Sequence, residues 1–229
     1  MQTININFYR EKNPVVSDAY DRLISKIPLM KKEKGYALFT VTGCEPAVGS
    51  TTIAISIAVA LAGFGCSALL VDADMRKRAY KKRLSAESVF GLSDVLTGEV
   101  AFSDALCETN INQLYYLACG KDSENPVSLL NSERMNELID RVSDQFEYVI
   151  FDSPALNTTI DAAVITAKTS GAILVAGYMQ SKKAKIEVAA RELEQTGGNL
   201  IGIVLNNVAK KDYKRYIENY DYFISAKRK

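Results

Sequence analysis

The chain has 229 residues, a length that suits one globular domain with a short appendage. Its apolar content of 48%, charged content of 24% and net charge of +1 are ordinary for a globular protein, so no general attraction to nucleic acid or anionic lipid is expected. It contains no histidine, which excludes Ser-His and Cys-His nucleophile pairs and most zinc sites, and its four cysteines form no C-x-x-C pair.

The first part of the chain predicts an arm and a helix. Residues 1–14 are polar and aperiodic, so we expect an extended arm there and not a folded element. Ser17 is a suitable N-cap for a helix that ends near Pro28. Apolar residues recur at helical spacing between them, at Ala19, Tyr20, Leu23, Ile24 and Ile27. Nothing at the N-terminus has the pattern of a signal peptide, so we expect a cytoplasmic location.

Residues 39–52, FTVTGCEPAVGSTT, combine a short apolar strand, a turn and the start of a helix. This is the order of a Walker A loop, in which backbone N–H groups surround phosphates, a lysine reaches the β- and γ-phosphates and a hydroxyl binds Mg²⁺. Gly49 and Thr51 stand where the second glycine and the hydroxyl belong, whereas Ser50 stands where the lysine belongs. The first glycine is displaced by one position, to Gly43.

After this loop, short apolar runs alternate with helical patterns. The predicted strands cover residues 67–71, 114–118, 148–151, 172–176 and 201–205, and the predicted helices cover 51–62, 132–144, 161–168 and 184–196. This alternation predicts an α/β fold with a doubly wound, mostly parallel sheet flanked by helices. The uncharged run 53–71 is long enough for a membrane span, but Gly63 and Gly65 divide it into a buried helix and a buried strand.

Polar residues follow several of the predicted strands. Asp72 and Asp74 follow the predicted strand at 67–71, Asp152 follows the one at 148–151 and Asn206 follows the one at 201–205. Ligands of parallel sheets bind at the carboxyl ends of the strands, where these residues would meet the loop. A single aspartate after a strand is often only a helix cap or turn former. Three that converge beside a phosphate-binding turn favour a nucleotide and metal site.

Taken together, these motifs resemble the bacterial tyrosine kinases of the CpsD/CapB type, which belong with the MinD/ParA P-loop ATPases. LLVDADMRK at 69–77 is similar to that family's Walker A′ segment, and YVIFDSPA at 148–155 is similar to its Walker B segment. GLSDVLTGE at 91–99, NPVSLLNSERM at 125–135 and IGIVLNN at 201–207 follow in the family's order. The resemblance implies a P-loop kinase fold, ATP or ADP with Mg²⁺ as cofactors, and tyrosine phosphorylation in capsule or exopolysaccharide biosynthesis.

The resemblance also implies a role for each site residue. Thr51 and Asp74 would bind Mg²⁺ directly, and Asp152 would bind it through water. Asp72 would take the proton from a tyrosine hydroxyl, and Arg76 would face phosphate or the acceptor. The implied nucleotide contacts are Gly43, Ala47, Val48, Gly49, Ser50, Thr51 and Thr52, with Asn206 at the adenine. The implied phosphoacceptors are Tyr213, Tyr216, Tyr220 and Tyr222.

Ser50 departs from the family pattern by removing a fixed positive charge. The Coulomb attraction between two unit charges ~4 Å apart, at an effective dielectric constant near 20, is at most on the order of 4 kcal/mol. The loss of a few kcal/mol corresponds to roughly 10²–10³ in transfer rate or affinity. Because the carboxylates that would bind Mg²⁺ are retained, we expect nucleotide binding with weak or absent phosphoryl transfer.

The predicted N-terminal helix departs from the family as well. The family pattern SEAYRxLRTNI becomes SDAYDRLISKI at 17–27. The family joins subunits into a ring through a glutamate and two arginines, and these positions carry Asp18, Asp21 and Ile24 here. The favoured interpretation is an amphipathic helix that packs on its own domain, so we expect a monomer or small oligomer in place of an octameric ring.

The expected domains are 1–35 for the arm and helix, 36–208 for the P-loop kinase-like domain and 209–229 for a basic tail rich in tyrosine. Residues 210–229 carry seven Lys and Arg against three Asp and Glu, a difference of +4. Such a tail is typical of a solvated terminus and also suits a nucleic-acid or membrane-surface patch. The resemblance favours phosphoacceptor tyrosines.

Three functions therefore remain open. The first is a cytoplasmic tyrosine-kinase-fold protein, activated by the cytoplasmic tail of a CapA/CpsC-type membrane protein and held by it at the inner face of the membrane. The second is a non-catalytic nucleotide sensor or scaffold that regulates an active kinase paralogue or polysaccharide export. The third is a MinD/ParA-type positioning ATPase, which is disfavoured because Glu45 replaces that group's signature lysine near the phosphates. No nucleic-acid partner is expected.

Overall fold

The computed structural model describes residues 2–6, 19–27, 37–76, 90–209 and 212. The strands are β1 (Gln2–Ile4), β2 (Leu38–Gly43), β3 (Ala68–Asp72), β4 (Leu106–Thr109), β5 (Leu114–Leu117), β6 (Tyr148–Asp152), β7 (Ala172–Gly177) and β8 (Leu200–Asn206). The helices are α1 (residues 19–27), α2 (Ser50–Gly63), α3 (Leu92–Thr97), α4 (Phe102–Ala105), α5 (Pro126–Leu130), α6 (Glu133–Gln145), α7 (Asp161–Ala167) and α8 (Lys183–Gln195).

The eight described strands form one sheet in the order β1-β4-β5-β3-β6-β2-β7-β8. Their pairs are parallel except for β4 with β5. Apolar clusters lie on both faces of the sheet: α1 and α2 cover one face, and α3, α6, α7 and α8 cover the other. The predicted doubly wound, mostly parallel α/β sheet is therefore confirmed, with β2, β3 and β6 next to one another at its centre.

The uncharged run 53–71 folds as the sequence predicts. The helix α2 ends at Gly63, and β3 begins five residues later with every residue buried. Ile53, Ile57 and Leu61 of α2 are buried against the sheet. Of the helices in the described ranges, none has both the length and the apolarity needed to cross a membrane.

The N-terminal arm requires a correction. Residues 2–4 form β1, an edge strand that pairs in parallel with β4, and Ile4 and Ile6 are buried in the core. The side chain of Asn110 extends this pairing, because its Oδ1 accepts the backbone N–H of Ile6 at 2.7 Å. The expectation that the extended arm is not a folded element was wrong for residues 2–6, because a three-residue strand is too short to show an alternating pattern. Residues 7–14 of the predicted arm lie outside the described residues.

Helix α1 packs on its own domain. Ile24 and Ile27 are buried, and Tyr20 and Leu23 lie partly buried against the same core as α2. Asp21 points to solvent, and Asp18 lies outside the described residues. The predicted intramolecular packing of this helix is confirmed, whereas the state of assembly stays a prediction.

Candidate nucleotide-binding site

The three predicted carboxylates meet at the carboxyl edge of the sheet. Asp72 on β3 and Asp152 on β6 are register partners. Because alternate residues of a strand share a face, both lie on the face covered by α2, together with Leu70 and Ile150. The backbone N–H of Asp74 donates to Asp72 Oδ1 at 3.0 Å, which folds the chain back after β3. Each of the three aspartates is only 8% exposed.

The loop between β2 and α2 has a backbone suited to bind an anion. Ala47 and Gly49 have positive φ angles of 62° and 91°. Helix α2 begins at Ser50 without an acidic residue in its first turn, and its first N–H groups have no acceptor within the helix. These N–H groups and the helix dipole favour a phosphate. A Cβ at Gly43 would lie 2.7 Å from the carbonyl oxygen of Glu45, so this position requires glycine.

The side chains of the loop differ in exposure. Val48 is buried, Ser50 and Thr52 are half-buried, and Thr51 is exposed at the start of α2. Asn206 at the end of β8 contacts this loop, because its Nδ2 donates to the carbonyl of Val48 at 2.9 Å. The structure thus brings Asn206 to the loop, while its contact with adenine stays a prediction.

Arg76 forms a bidentate ion pair across the site. Its Nε donates to Asp161 Oδ2 at 2.7 Å and its Nη2 donates to Asp161 Oδ1 at 2.9 Å. This pair raises the pKa of Arg76 above its ordinary value. Asp161 begins α7, so the pair fixes the segment after β3 to that helix. In this structure Arg76 faces Asp161, and its predicted role toward phosphate stays a prediction.

Arg76→Ala should lower the free energy of unfolding by about 3 kcal/mol. Asp161 is fully buried, so the substitution leaves a buried carboxylate without its cation, which typically costs 3–5 kcal/mol. We expect the lower end because the Arg76 side chain is 40% exposed. Chemical denaturation measures the effect. Arg191→Ala is the matched control, because its pair with Glu187 is exposed and 3.9 Å long, and a similar loss in both variants would contradict the prediction.

The other side of the loop contacts the chain between β7 and α8. Lys185 Nζ donates to Glu45 Oε2 at 2.7 Å, and the thiol of Cys44 donates to Ser181 Oγ at 3.2 Å. The hydrogen bond from Lys185, and next the nearby Ser181 hydroxyl, holds the pKa of Glu45 below its ordinary value. The same contact with Glu45 raises the pKa of Lys185. The loop therefore carries a carboxylate paired with a cation from α8.

A buried tyrosine lies near the carboxylates. Tyr116 on β5 is 2% exposed and shares its sheet face with Asp72. Burial, and next the negative charge of Asp72, raises its pKa well above the ordinary value. The phenol therefore stays neutral, and its burial sets it apart from an acceptor tyrosine that must reach the site from solvent.

The oxygen donors at this edge fit Mg²⁺ that is held together with a nucleotide. Within the ranges that the structure describes, no three acidic, cysteine or histidine side chains form a group that would hold a metal alone. Mg²⁺ typically uses one or two carboxylates together with substrate phosphates and waters. Thr51, Asp74 and Asp152 offer the hydroxyl and carboxylate oxygens of such a set, and their role as ligands stays a prediction.

Sequence reasoning missed Lys185 and Asp161. Lys185 lies in a helical pattern with several other charged residues, so nothing in the sequence marks it as a partner of the loop. Asp161 stands at the start of a predicted helix, where an acidic residue is ordinary. Both residues act through contacts with distant parts of the chain, which only the folded arrangement shows.

The chain is similar to known proteins over most of its length. A family model described as an AAA domain matches residues 40–181, a range that contains the loop and the three carboxylates. Tyrosine-protein kinase CpsD of Streptococcus pneumoniae serotype 4 is 37% identical over 175 residues, which cover 75% of this chain and 76% of that protein. The solved chimerical protein CapA2B2 has a TM-score of 0.80 at 28% identity, over 92% of this chain and 95% of that one. The kinase domain of the Escherichia coli tyrosine kinase ETK has a TM-score of 0.79 at 25% identity, over 92% and 90% of the two chains.

Proposed function

Because this chain belongs to the CpsD-type family of bacterial tyrosine kinases, within the MinD/ParA group of P-loop ATPases, we propose that it binds ATP or ADP with Mg²⁺ and phosphorylates tyrosine weakly or not at all. The observation that carries this proposal is Ser50 at the start of α2. The loop keeps the backbone form that surrounds phosphates, yet its side chain at this position is short and neutral. Binding through the backbone is retained, whereas the charge that would stabilise phosphoryl transfer is missing.

Each residue of the site has a role in this proposal. The N–H groups of Gly49, Ser50 and Thr51 bind the phosphates, and the Thr51 hydroxyl and the Asp74 carboxylate hold Mg²⁺. When bound, the magnesium nucleotide supplies the phosphoryl group to be transferred. Asp72 accepts the proton as the O–H bond of an incoming tyrosine breaks, and a carboxylate suits this task because the chain contains no histidine. The position of Asp72, register partner of Asp152 and hydrogen-bonded by Asp74, supports this assignment.

Calorimetric titration with ADP, in the presence and absence of Mg²⁺, tests the binding part of the proposal. We expect saturable binding that requires Mg²⁺. The control is titration with adenosine, which lacks the phosphates that the loop would bind. Absence of saturable binding by Mg·ADP, or equal binding of adenosine, would contradict the proposal.

A nucleotide-sensing regulator or scaffold is the second candidate. The hydrogen bonds from Lys185 to Glu45 and from Cys44 to Ser181 favour it, because they connect the nucleotide loop to the start of α8. Through such a connection, occupancy of the loop would change a surface available to an active kinase paralogue.

A MinD/ParA-type positioning ATPase is less favoured. In place of the signature lysine, Glu45 would bring a carboxylate toward a second set of phosphates.

In capsule or exopolysaccharide synthesis the partner would be a CapA/CpsC-type membrane protein, whose cytoplasmic tail would engage this chain at the inner face of the membrane. Family membership supports this partner.

Asp21 is exposed on α1, where the family's ring would require an arginine. We therefore expect light scattering to give a monomer or small oligomer at micromolar concentration. A mass that corresponds to an octamer would contradict this expectation.

The tail beyond β8 should be a substrate even if the chain's own site is inactive. We expect an active tyrosine kinase of the same family to phosphorylate Tyr213, Tyr216, Tyr220 and Tyr222, which lie outside the described residues. Each phosphate adds about −1.5 to −2 charges, so two would roughly cancel the tail's excess of seven basic over three acidic residues. Mass spectrometry after incubation with such a kinase and ATP measures the result, with the four-phenylalanine variant as control. Phosphate on none of the four tyrosines would contradict it.

A further inference from the structure

The charge of the nucleotide loop is unusual for a loop that binds phosphate. Between residues 43 and 52, Glu45 is the one residue with a formal charge, and α2 contains no charged residue at all. The usual Walker loop carries a lysine, so this loop differs from it by two units of charge. A bound nucleotide would meet this carboxylate in addition to the three aspartates at the sheet edge. Glu45 without a cation would therefore repel the ligand.

Lys185 is the cation that contacts this carboxylate. Its ammonium lies 2.7 Å from Glu45 Oε2, and the Glu45 side chain is 10% exposed whereas that of Lys185 is 53% exposed. The approach of α8 to the loop is held by further bonds. The Cys44 thiol donates to Ser181 Oγ at 3.2 Å, and the side-chain amide of Gln180 donates to the Pro46 carbonyl at 3.2 Å. The positive charge is thus fixed beside the loop.

We propose that Lys185 supplies, from α8, the positive charge that the loop itself lacks, and that by neutralising Glu45 it allows the loop to bind a nucleotide di- or triphosphate. This inference rests on the proposed function, because it concerns how the same site holds its ligand. With Glu45 neutralised, the N–H groups at the start of α2 and the helix dipole are left to attract the phosphates. Lys185 is then a positioning residue that acts through Glu45.

A double-mutant cycle tests the inference. Lys185→Gln should weaken the affinity for Mg·ADP about tenfold at low ionic strength, since an unpaired carboxylate then faces the phosphates. Glu45→Gln should bind at least as tightly as the wild type. The double variant, in which both charges are removed, should return to within about threefold of the wild type. The loss in Lys185→Gln should shrink as salt is added, because partly exposed charges are screened.

Two further variants separate charge from structure. Lys183→Gln is the matched control, because Lys183 lies on the same helix, is 90% exposed and pairs with Glu187 at 3.6 Å instead of the loop. It should leave the affinity unchanged. Lys185→Arg, which keeps the positive charge, should retain most of the affinity if Lys185→Gln loses it. Thermal unfolding verifies that each variant is folded before titration.

Two results would overturn the inference: wild-type affinity in Lys185→Gln, or a double variant as weak as Lys185→Gln alone. If the wild type binds no Mg·ADP, the proposed function fails first. The cycle is then carried out with Ser50→Lys, where we expect the same dependence on Lys185. Two results would then overturn the inference separately. One is equal Mg·ADP affinity of Ser50→Lys and of the variant that combines Ser50→Lys with Lys185→Gln. The other is no binding of Mg·ADP by the wild type or by Ser50→Lys.

Discussion

Ser50→Lys should raise tyrosine phosphorylation by this chain roughly 10²–10³-fold and should also tighten nucleotide binding. Ser50 is the first residue of α2, directly after Gly49, whose left-handed backbone turns the chain into the helix. A lysine here would begin from the backbone that surrounds the phosphates. Its ammonium would stabilise the charge that grows between the β- and γ-phosphates during transfer. Ser50 is half-buried, so the core does not enclose a longer side chain at this position.

Phosphotyrosine formed in a single turnover with Mg·ATP measures this gain. Ser50→Met is the matched control, because methionine is nearly as long as lysine but carries no charge. We expect no gain from Ser50→Met. Equal turnover by the wild type and Ser50→Lys would contradict the prediction and would indicate that another cation already serves the phosphates.

Asp74→Asn should remove the Mg²⁺-dependent part of nucleotide affinity, a loss of about 10–100-fold or more. The Asp74 carboxylate is 8% exposed beside Asp72, and its Oδ1 accepts the backbone N–H of Arg76 at 3.3 Å. Asparagine keeps the shape and an acceptor oxygen for that hydrogen bond, so the fold should be retained. The change replaces a carboxylate oxygen with a neutral amide oxygen, which binds the hard Mg²⁺ cation more weakly.

Calorimetric titration of ADP with and without Mg²⁺ measures this effect. The wild type should lose affinity when Mg²⁺ is removed, whereas Asp74→Asn should bind about equally in both conditions. Asp144→Asn is the control, because Asp144 is an exposed aspartate near the end of α6, which leads into the amino end of β6 at the opposite edge of the sheet. Mg²⁺ dependence in Asp74→Asn that equals the wild type's would remove Asp74 from the metal site.

Much of the fold was predictable, and so was the meeting of the three aspartates at one edge of the sheet, because both depend on local periodicity. The buried strands β3 and β6 are continuous apolar runs, as in parallel sheets covered on both faces. The topology of such sheets then brings their carboxyl ends together, so Asp72 and Asp152 were found from position alone. The same reasoning failed for β1, whose three residues show no period.

The two ion pairs beside the candidate site were not predictable from the sequence. Glu45 and Lys185 are 140 residues apart, and Arg76 and Asp161 are 85 residues apart. Each pair depends on which helix follows which strand and on how the side chains extend from them. A sequence pattern reports neither, since a charged residue on a helix surface is ordinary. Only the folded structure shows that the loop's carboxylate is paired.

The most direct test of the central proposal combines binding and transfer in one wild-type sample. The chain is titrated with Mg·ATP, incubated at a concentration that saturates the site, and analysed for phosphotyrosine by mass spectrometry beside Ser50→Lys treated in the same way. We expect saturable binding by both proteins, with phosphotyrosine abundant in Ser50→Lys and absent or scarce in the wild type. Wild-type phosphorylation equal to that of Ser50→Lys, or no saturable binding of Mg·ATP by the wild type, would contradict the proposal.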